Sequence, residues 1–164
     1  MKTVVKAYLS VLVILTCCLA LGCSSDYEGE EEMIIMEIVI FPTGTFDSTY
    51  YFSIDGSAML SCSIGTRKTN DVIISDTFEK ITKNGHKQLA AEELQYFVDK
   101  AEELQASGYR YEKKVVKDSW HFVLSYNDAI YEMDRIDEEP DSLRKIIDEI
   151  IRISPLPLDL HGWA

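Results

Sequence analysis

The 164-residue chain is predicted to adopt an α+β fold: an antiparallel sheet of about five to seven strands with two helices packed on one face, in tandem hairpin-then-helix order. Three observations predict it. Apolar residues alternate with polar ones on either side of Asp55-Gly56 and again around Asn127-Asp128, the pattern of strands folded at tight turns. After each hairpin the apolar period lengthens to that of a helix, first from Ala90 and again from Pro140. Ahead of both, the almost continuous apolar run Met33 to Phe41 asks for cover on two sides.

Taken in order, the chain opens with Lys2 and Lys6, an uncharged, largely apolar stretch from Ala7 to Leu21, and Gly22 before Cys23. This is the build of a signal peptide. Its fifteen residues would make about 22 Å of helix, short of the roughly 30 Å hydrocarbon core that a permanent span must cross. Leu21-Gly22-Cys23 resembles the lipobox of bacterial lipoprotein precursors. The resemblance covers the first 25 residues and implies that the Cys23 thiol is acylated and becomes the first residue of the mature chain. Residues 1–22 are then a leader, 23–32 a lipidated acidic tether, and 33–164 a single domain on the extracytoplasmic side of a bacterial membrane, facing the periplasm or the cell surface. Two or more acyl chains, at about 0.8 kcal/mol per buried methylene, hold stably where one binds marginally.

Ser24 to Glu32, with three consecutive glutamates, has the composition of a solvated tether. Met33 to Phe41, broken by Glu37 and closed by Pro42, reads as a strand because Ile34, Ile35, Ile38, Val39 and Ile40 are branched and the run is short for a helix. Around Asp55-Gly56, side-chain parity favours a three-residue loop of Ile54, Asp55 and Gly56, with the glycine left-handed, pairing Phe52 with Ala58 and Tyr50 with Leu60. Val72 to Ser75 is a candidate short strand. From Ala90, Leu94, Phe97, Val98, Ala101 and Leu104 recur at helical spacing up to Gly108, with Glu92, Glu93, Asp99, Glu102 and Glu103 on the polar side.

Val115 and Val116 lead into a strand whose Trp120, Phe122, Leu124 and Tyr126 share one face. A two-residue Asn127-Asp128 loop pairs Tyr126 with Ala129, Leu124 with Tyr131 and Phe122 with Met133, leaving His121, Val123, Ser125, Ile130 and Glu132 on the other face. Pro140 opens the second helix, with Leu143, Ile146, Ile147, Ile150 and Ile153 as its buried stripe. Ser154-Pro155-Leu156-Pro157 stops it. Leu156 to Ala164, with Leu158, Leu160 and Trp163, is apolar enough to pack back on the domain.

The full chain carries a formal charge of −12. Loss of Lys2 and Lys6 with the leader leaves 14 basic residues against 28 acidic ones. Nucleic acid is excluded as a partner, since phosphate binding needs a basic face and no cluster exceeds short runs such as Glu112-Lys113-Lys114. Cys17 and Cys18 belong to the leader and Cys23 to the anchor, so Cys62 stands alone and the mature domain has no intramolecular disulfide. Cys62 falls on the apolar alternation of Ala58, Leu60 and Ile64 and reads as a small buried hydrophobe.

Chemical motifs are few. Ser142-Leu143-Arg144-Lys145 matches S-x-x-K, but no S-D-N or K-T-G follows, and both residues are expected on the solvent side of the second helix. His86, His121 and His161 are too dispersed for a metal site by local spacing and are expected to be surface or locally bonded histidines. Asp134, Asp137, Glu138, Glu139 and Asp141 lack the glycine turn of a calcium loop and are assigned to the positive start of the second helix. No catalytic residue, cofactor or metal is assigned. The expected function is that of a membrane-tethered, non-catalytic binding module for an envelope protein, peptide or glycan. An envelope inhibitor or immunity-type protein is the second reading, and a small hydrolase using Cys62, a histidine or paired acids the third.

Overall fold

The computed structural model describes residues 33–69, 74–112, 119–134 and 140–160. Six strands form one antiparallel sheet: β1 (Ile34–Pro42), β2 (Thr49–Asp55), β3 (Met59–Arg67), β4 (Phe78–Gln88), β5 (Trp120–Tyr126) and β6 (Ala129–Met133). Two helices, α1 (Ala91–Ser107) and α2 (Asp141–Ile153), follow the first four strands and the last hairpin respectively. The strand order is β4-β3-β2-β1-β5-β6. The predicted α+β class and the antiparallel sheet with its helices are therefore present.

β1 lies between β2 and β5, which explains its nearly unbroken apolar sequence. Met36, Ile38 and Ile40 face the helices, while Val39 and Phe41 are buried on the opposite side with Val123. The main core joins that first set to Phe52, Leu60, Phe122 and Leu124 from the sheet, Phe97, Ala101 and Leu104 from α1, and the five expected apolar residues of α2. Every large side chain in this layer is almost completely removed from water, and each is worth roughly 1.5–3 kcal/mol of transfer free energy.

The second hairpin has the predicted register, Tyr126 opposite Ala129, Leu124 opposite Tyr131 and Phe122 opposite Met133. Asn127 and Asp128 both have positive φ, 49° and 62°, as a two-residue turn matching the strand twist requires. The first hairpin corrects the expectation. Its ladder closes at Ile54 opposite Leu60, with Phe52 opposite Cys62 and Tyr50 opposite Ile64, so the loop is longer than three residues. The Asp55 carboxylate explains the difference by accepting from the Ser57 amide at 2.9 Å, the Ser57 hydroxyl at 2.7 Å and the Met59 amide at 3.0 Å. The left-handed residue is Ala58, at φ 64°, rather than Gly56. Because the slip is even, every side chain keeps the face that parity assigned to it.

Two further differences concern the segment after β3. Where a strand was expected at Val72 to Ser75, Ile74–Asp76 is a turn of 3-10 helix, and Val72 lies outside the described residues. The eleven-residue β4 was not anticipated. It is an edge strand, exposed along most of its length, so it carries no apolar alternation, and Lys80, Lys83 and Lys87 give it the charge that deters pairing with other chains. Val115 and Val116 also fall outside the described residues.

Gly108 ends α1 in the left-handed conformation at φ 66°, its amide donating to the Gln105 carbonyl. Leu156, Leu158 and Leu160 pack against the main core, as expected of the C-terminal segment. The Tyr50 hydroxyl donates to the Asp159 carbonyl at 3.3 Å and accepts from the Asp159 amide at 3.1 Å. Trp163 is outside the described residues.

Candidate functional site

Helices cover one face of the sheet; on the opposite face Val39, Phe41 and Val123 are buried, and the side chains around them that keep exposure are the ones available for recognition. The registers define this face residue by residue. One row runs through His86, Ser61, Ser53, Glu37, Ser125 and Ile130, one from each strand from β4 to β6. The next runs through Asn84, Ser63, Tyr51, Val39, Val123 and Glu132. Small hydroxyls on one side thus meet carboxylates on the other, and Ile130 is 63% exposed at the end of its row.

Internal bonds fix this surface. Ser63 donates to the Asn84 side-chain oxygen at 2.9 Å. The Tyr51 hydroxyl donates to Glu37 at 2.6 Å, and desolvation followed by that carboxylate pushes its ionisation well above the usual phenol range. Tyr51 therefore acts as a hydrogen-bond donor at any physiological pH.

At the Pro42 end of β1 the face becomes aromatic and charged. Arg67, 3% exposed, lies over the rings of Phe41 at 4.3 Å and Phe46 at 4.9 Å. Its Nε donates to the Thr69 carbonyl at 3.0 Å and its Nη1 to the Pro42 carbonyl at 3.4 Å. Desolvation lowers its ionisation from the ordinary guanidinium value, yet arginine begins so high that the charge remains.

Beside it, His121 Nδ1 is hydrogen-bonded to Asp134 and Nε2 to Glu132 at 3.0 Å. The second oxygen of Asp134 accepts the Tyr111 hydroxyl. Phe41 and Tyr111 hold the imidazole between ring centroids 4.9 and 5.8 Å away. Asp134 is therefore not a helix-start charge, as its sequence neighbourhood implied, but the partner of a histidine across the hairpin. The signal was available: extending the predicted ladder by one step beyond Phe122 and Met133 sets His121 opposite Asp134.

The other singled-out residues scatter. Cys62 is buried on the helix side, opposite the face that carries His86 and His121. Burial pushes its thiol up to about 11, with Ser154, whose Oγ lies 4.0 Å from Sγ, acting in the lowering direction. His86 is exposed and sits on β4, separated from His121 by three intervening strands. Ser142 is 7% exposed, which corrects its expected solvent position, because the start of α2 turns it toward the protein. Lys145 is exposed and its ammonium pairs with Asp141 at 2.5 Å. That contact holds the Asp141 carboxyl below its usual range and raises Lys145. Cys23, Asp137, Glu138, Glu139 and His161 lie outside the described residues.

Among the described residues, no group of three or more His, Cys, Asp or Glu is arranged to hold a metal ion, and no helix is long and apolar enough to cross a membrane. Asp134 and Glu132 meet different ring nitrogens of His121, so they bracket the imidazole rather than converge with it on a point. Comparisons with known protein families, with curated proteins and with solved structures each find no match. Function must accordingly be argued from the site itself.

Proposed function

We propose that this chain is a lipoprotein precursor whose mature domain is a non-catalytic binding module, tethered through acylated Cys23 on the outer side of a bacterial membrane. Its partner is an envelope protein, peptide or glycan received on the sheet face opposite the helices. The observation that carries the recognition half is the row His86, Ser61, Ser53, Glu37, Ser125 and Ile130, which presents polar side chains from five strands and an exposed apolar residue from the sixth. Short side chains let a partner approach the sheet closely, and a mixture of hydroxyls and a carboxylate offers it donors and acceptors. One feature of the reactive groups supports a non-catalytic reading: the buried Cys62 thiol stays protonated at neutral pH.

The two halves are tested separately. Metabolic labelling with a clickable palmitate analogue should tag the wild-type chain and leave Cys23→Ser untagged, while a mass spectrum showing an unlipidated amino terminus would overturn the anchor. For recognition, a photo-crosslinking residue at Ser61 should give discrete envelope adducts, and one at Gln95 on α1 should not. Adducts from Gln95 alone would place the contact on the helices and defeat the reading.

A further inference from the structure

Both ring nitrogens of His121 meet carboxylates, Nδ1 that of Asp134 and Nε2 that of Glu132. A carboxylate can only accept, so each contact requires a proton on nitrogen. An imidazole carries two ring protons only as the cation; the neutral ring leaves one lone pair pointing at an anion. The enclosure makes this difference matter, because the side chains of His121 and Asp134 retain 12% and 11% of their exposure. We propose that His121 is a proton-operated clamp: doubly protonated, it ties the end of β6 to β5 through two carboxylates, and the tie to Glu132 is released when the ring loses a proton.

The geometry also says which contact gives way. Asp134 is held from its other oxygen by the Tyr111 hydroxyl, whereas the Glu132 side chain is 42% exposed and can swing into water. The neutral ring therefore keeps its proton on Nδ1 against Asp134 and releases Glu132 from Nε2. The Tyr109 hydroxyl donates to the Glu132 carbonyl at 3.0 Å, so both tyrosines that follow the α1 C-cap hang on the two β6-end residues that grip His121.

Among the described residues, the charges around the ring are of both signs. From the β6 side come the carboxylates of Glu132 and Asp134. The segment after α1 contributes Tyr111, flanked in sequence by exposed Arg110 and Glu112. Phe41 presents no charge from β1, but Arg67 of β3 lies over that ring. The sign follows from proton count: the clamp is tight while both ring nitrogens carry a proton and loose once one is lost. The released Glu132 would stand as a free carboxylate on the face that holds Ile130, so acidity would alter both the shape and the charge of that surface. The clamp itself does not rest on the proposed anchoring or partner.

Nitrogen-15 NMR of histidine-labelled protein at pH 5.5 and 8.5, with amide exchange at both values, tests it. The expected result is two protonated ring nitrogens at pH 5.5 and the Nδ1–H tautomer at pH 8.5. Protection of residues 130–134, corrected for intrinsic exchange, should fall about tenfold between the two, the scale of one charge-assisted hydrogen bond. Glu132→Gln, a substitution at an exposed position, should abolish that fall while leaving the sheet folded. A singly protonated ring at pH 5.5, an Nε2–H tautomer at pH 8.5, or an undiminished pH response in Glu132→Gln would each overturn the clamp.

Discussion

Ala58 occupies a backbone conformation that costs an L-residue with a β-carbon about 1–2 kcal/mol. It does so at φ 64° because the Asp55 side chain gathers the Ser57 and Met59 amides and the Ala58 amide donates to the Asp55 carbonyl at 3.0 Å. Ala58→Gly should thus stabilise the protein by about 1 kcal/mol, net of the entropy that glycine adds to the unfolded chain, seen as a higher urea midpoint with an unchanged slope. Gly65 presents the opposite case. A β-carbon there would lie 2.1 Å from the Lys80 carbonyl oxygen, and backbone cannot move aside as a side chain can. Gly65→Ala should cost about 2–3 kcal/mol in the same measurement. Cys62 illustrates how burial governs reactivity: with its thiol pushed up to about 11, the neutral form is favoured in the fold. The resulting stability is present below the ordinary thiol value and lost as pH rises toward 11. Alkylation at pH 8, followed on the Cys62 peptide by mass spectrometry, should be about a hundredfold slower than in urea. Equal rates would contradict the burial.

At the scale of elements, α1 begins with half a cap. The Glu93 carboxylate reaches back to the Ala90 amide at 2.9 Å, but alanine offers no oxygen in return, although its φ of −70° and ψ of 155° suit an N-cap. Ala90→Ser should complete the reciprocal pair and add about 1 kcal/mol of stability. The existing half titrates: the Lys87 ammonium and then the Ala90 amide hold the Glu93 carboxyl below its usual range. Its contribution is present above the ordinary carboxyl value and lost as pH falls through the lower folded one. The serine half does not titrate, so denaturation at pH 7 and at pH 3 should show the Ala90→Ser gain at both. Elements with a strong period were legible in the chain, because a buried stripe must repeat: both helices, the two-faced β1, and the exact pairing of β5 with β6. What escaped had no such repeat. β4 is solvated on most of its positions, and its Asn84-Gly85 pair resembles a turn, yet Gly85 lies within the strand, where Leu156 side-chain atoms come within 2.9 Å of the place a β-carbon would take. The first hairpin's loop length escaped for another reason: parity constrains faces, whereas Asp55 side-chain bonding decided the count. The candidate site was half readable. His121, Glu132 and Ile130 were assigned to one face, but Tyr111 is contributed from outside the sheet, and no periodicity links it to Asp134.

On the scale of the whole molecule, the helix side of the sheet is closed by three things, α1, α2 and the C-terminal segment. Leu156 meets Gly85 on β4, and Asp159 meets Tyr50 on β2 through a pair of bonds at 3.3 and 3.1 Å. The segment thereby joins the β4 edge to the middle of the sheet. Three partly buried leucines are the main source of its hold, since a fully buried leucine contributes roughly 1.5–3 kcal/mol and these retain some water. The Tyr50 hydroxyl adds about 1 kcal/mol, and it fixes where the strap lies rather than whether it binds. These magnitudes separate two variants. Tyr50→Phe should cost about 1 kcal/mol and leave the leucines in place, so protease cleavage within residues 155–160 should rise only modestly. Deleting residues 155–164 should cost several times more, roughly 3–5 kcal/mol from the lost apolar burial, and should expose the Cys62 thiol to alkylation, because Ser154 beside it would lose the chain that follows. If the deletion proved no more destabilising than Tyr50→Phe, the hydrogen bonds and not the leucines would be holding the strap, and the core would have to be drawn without its C-terminal third layer.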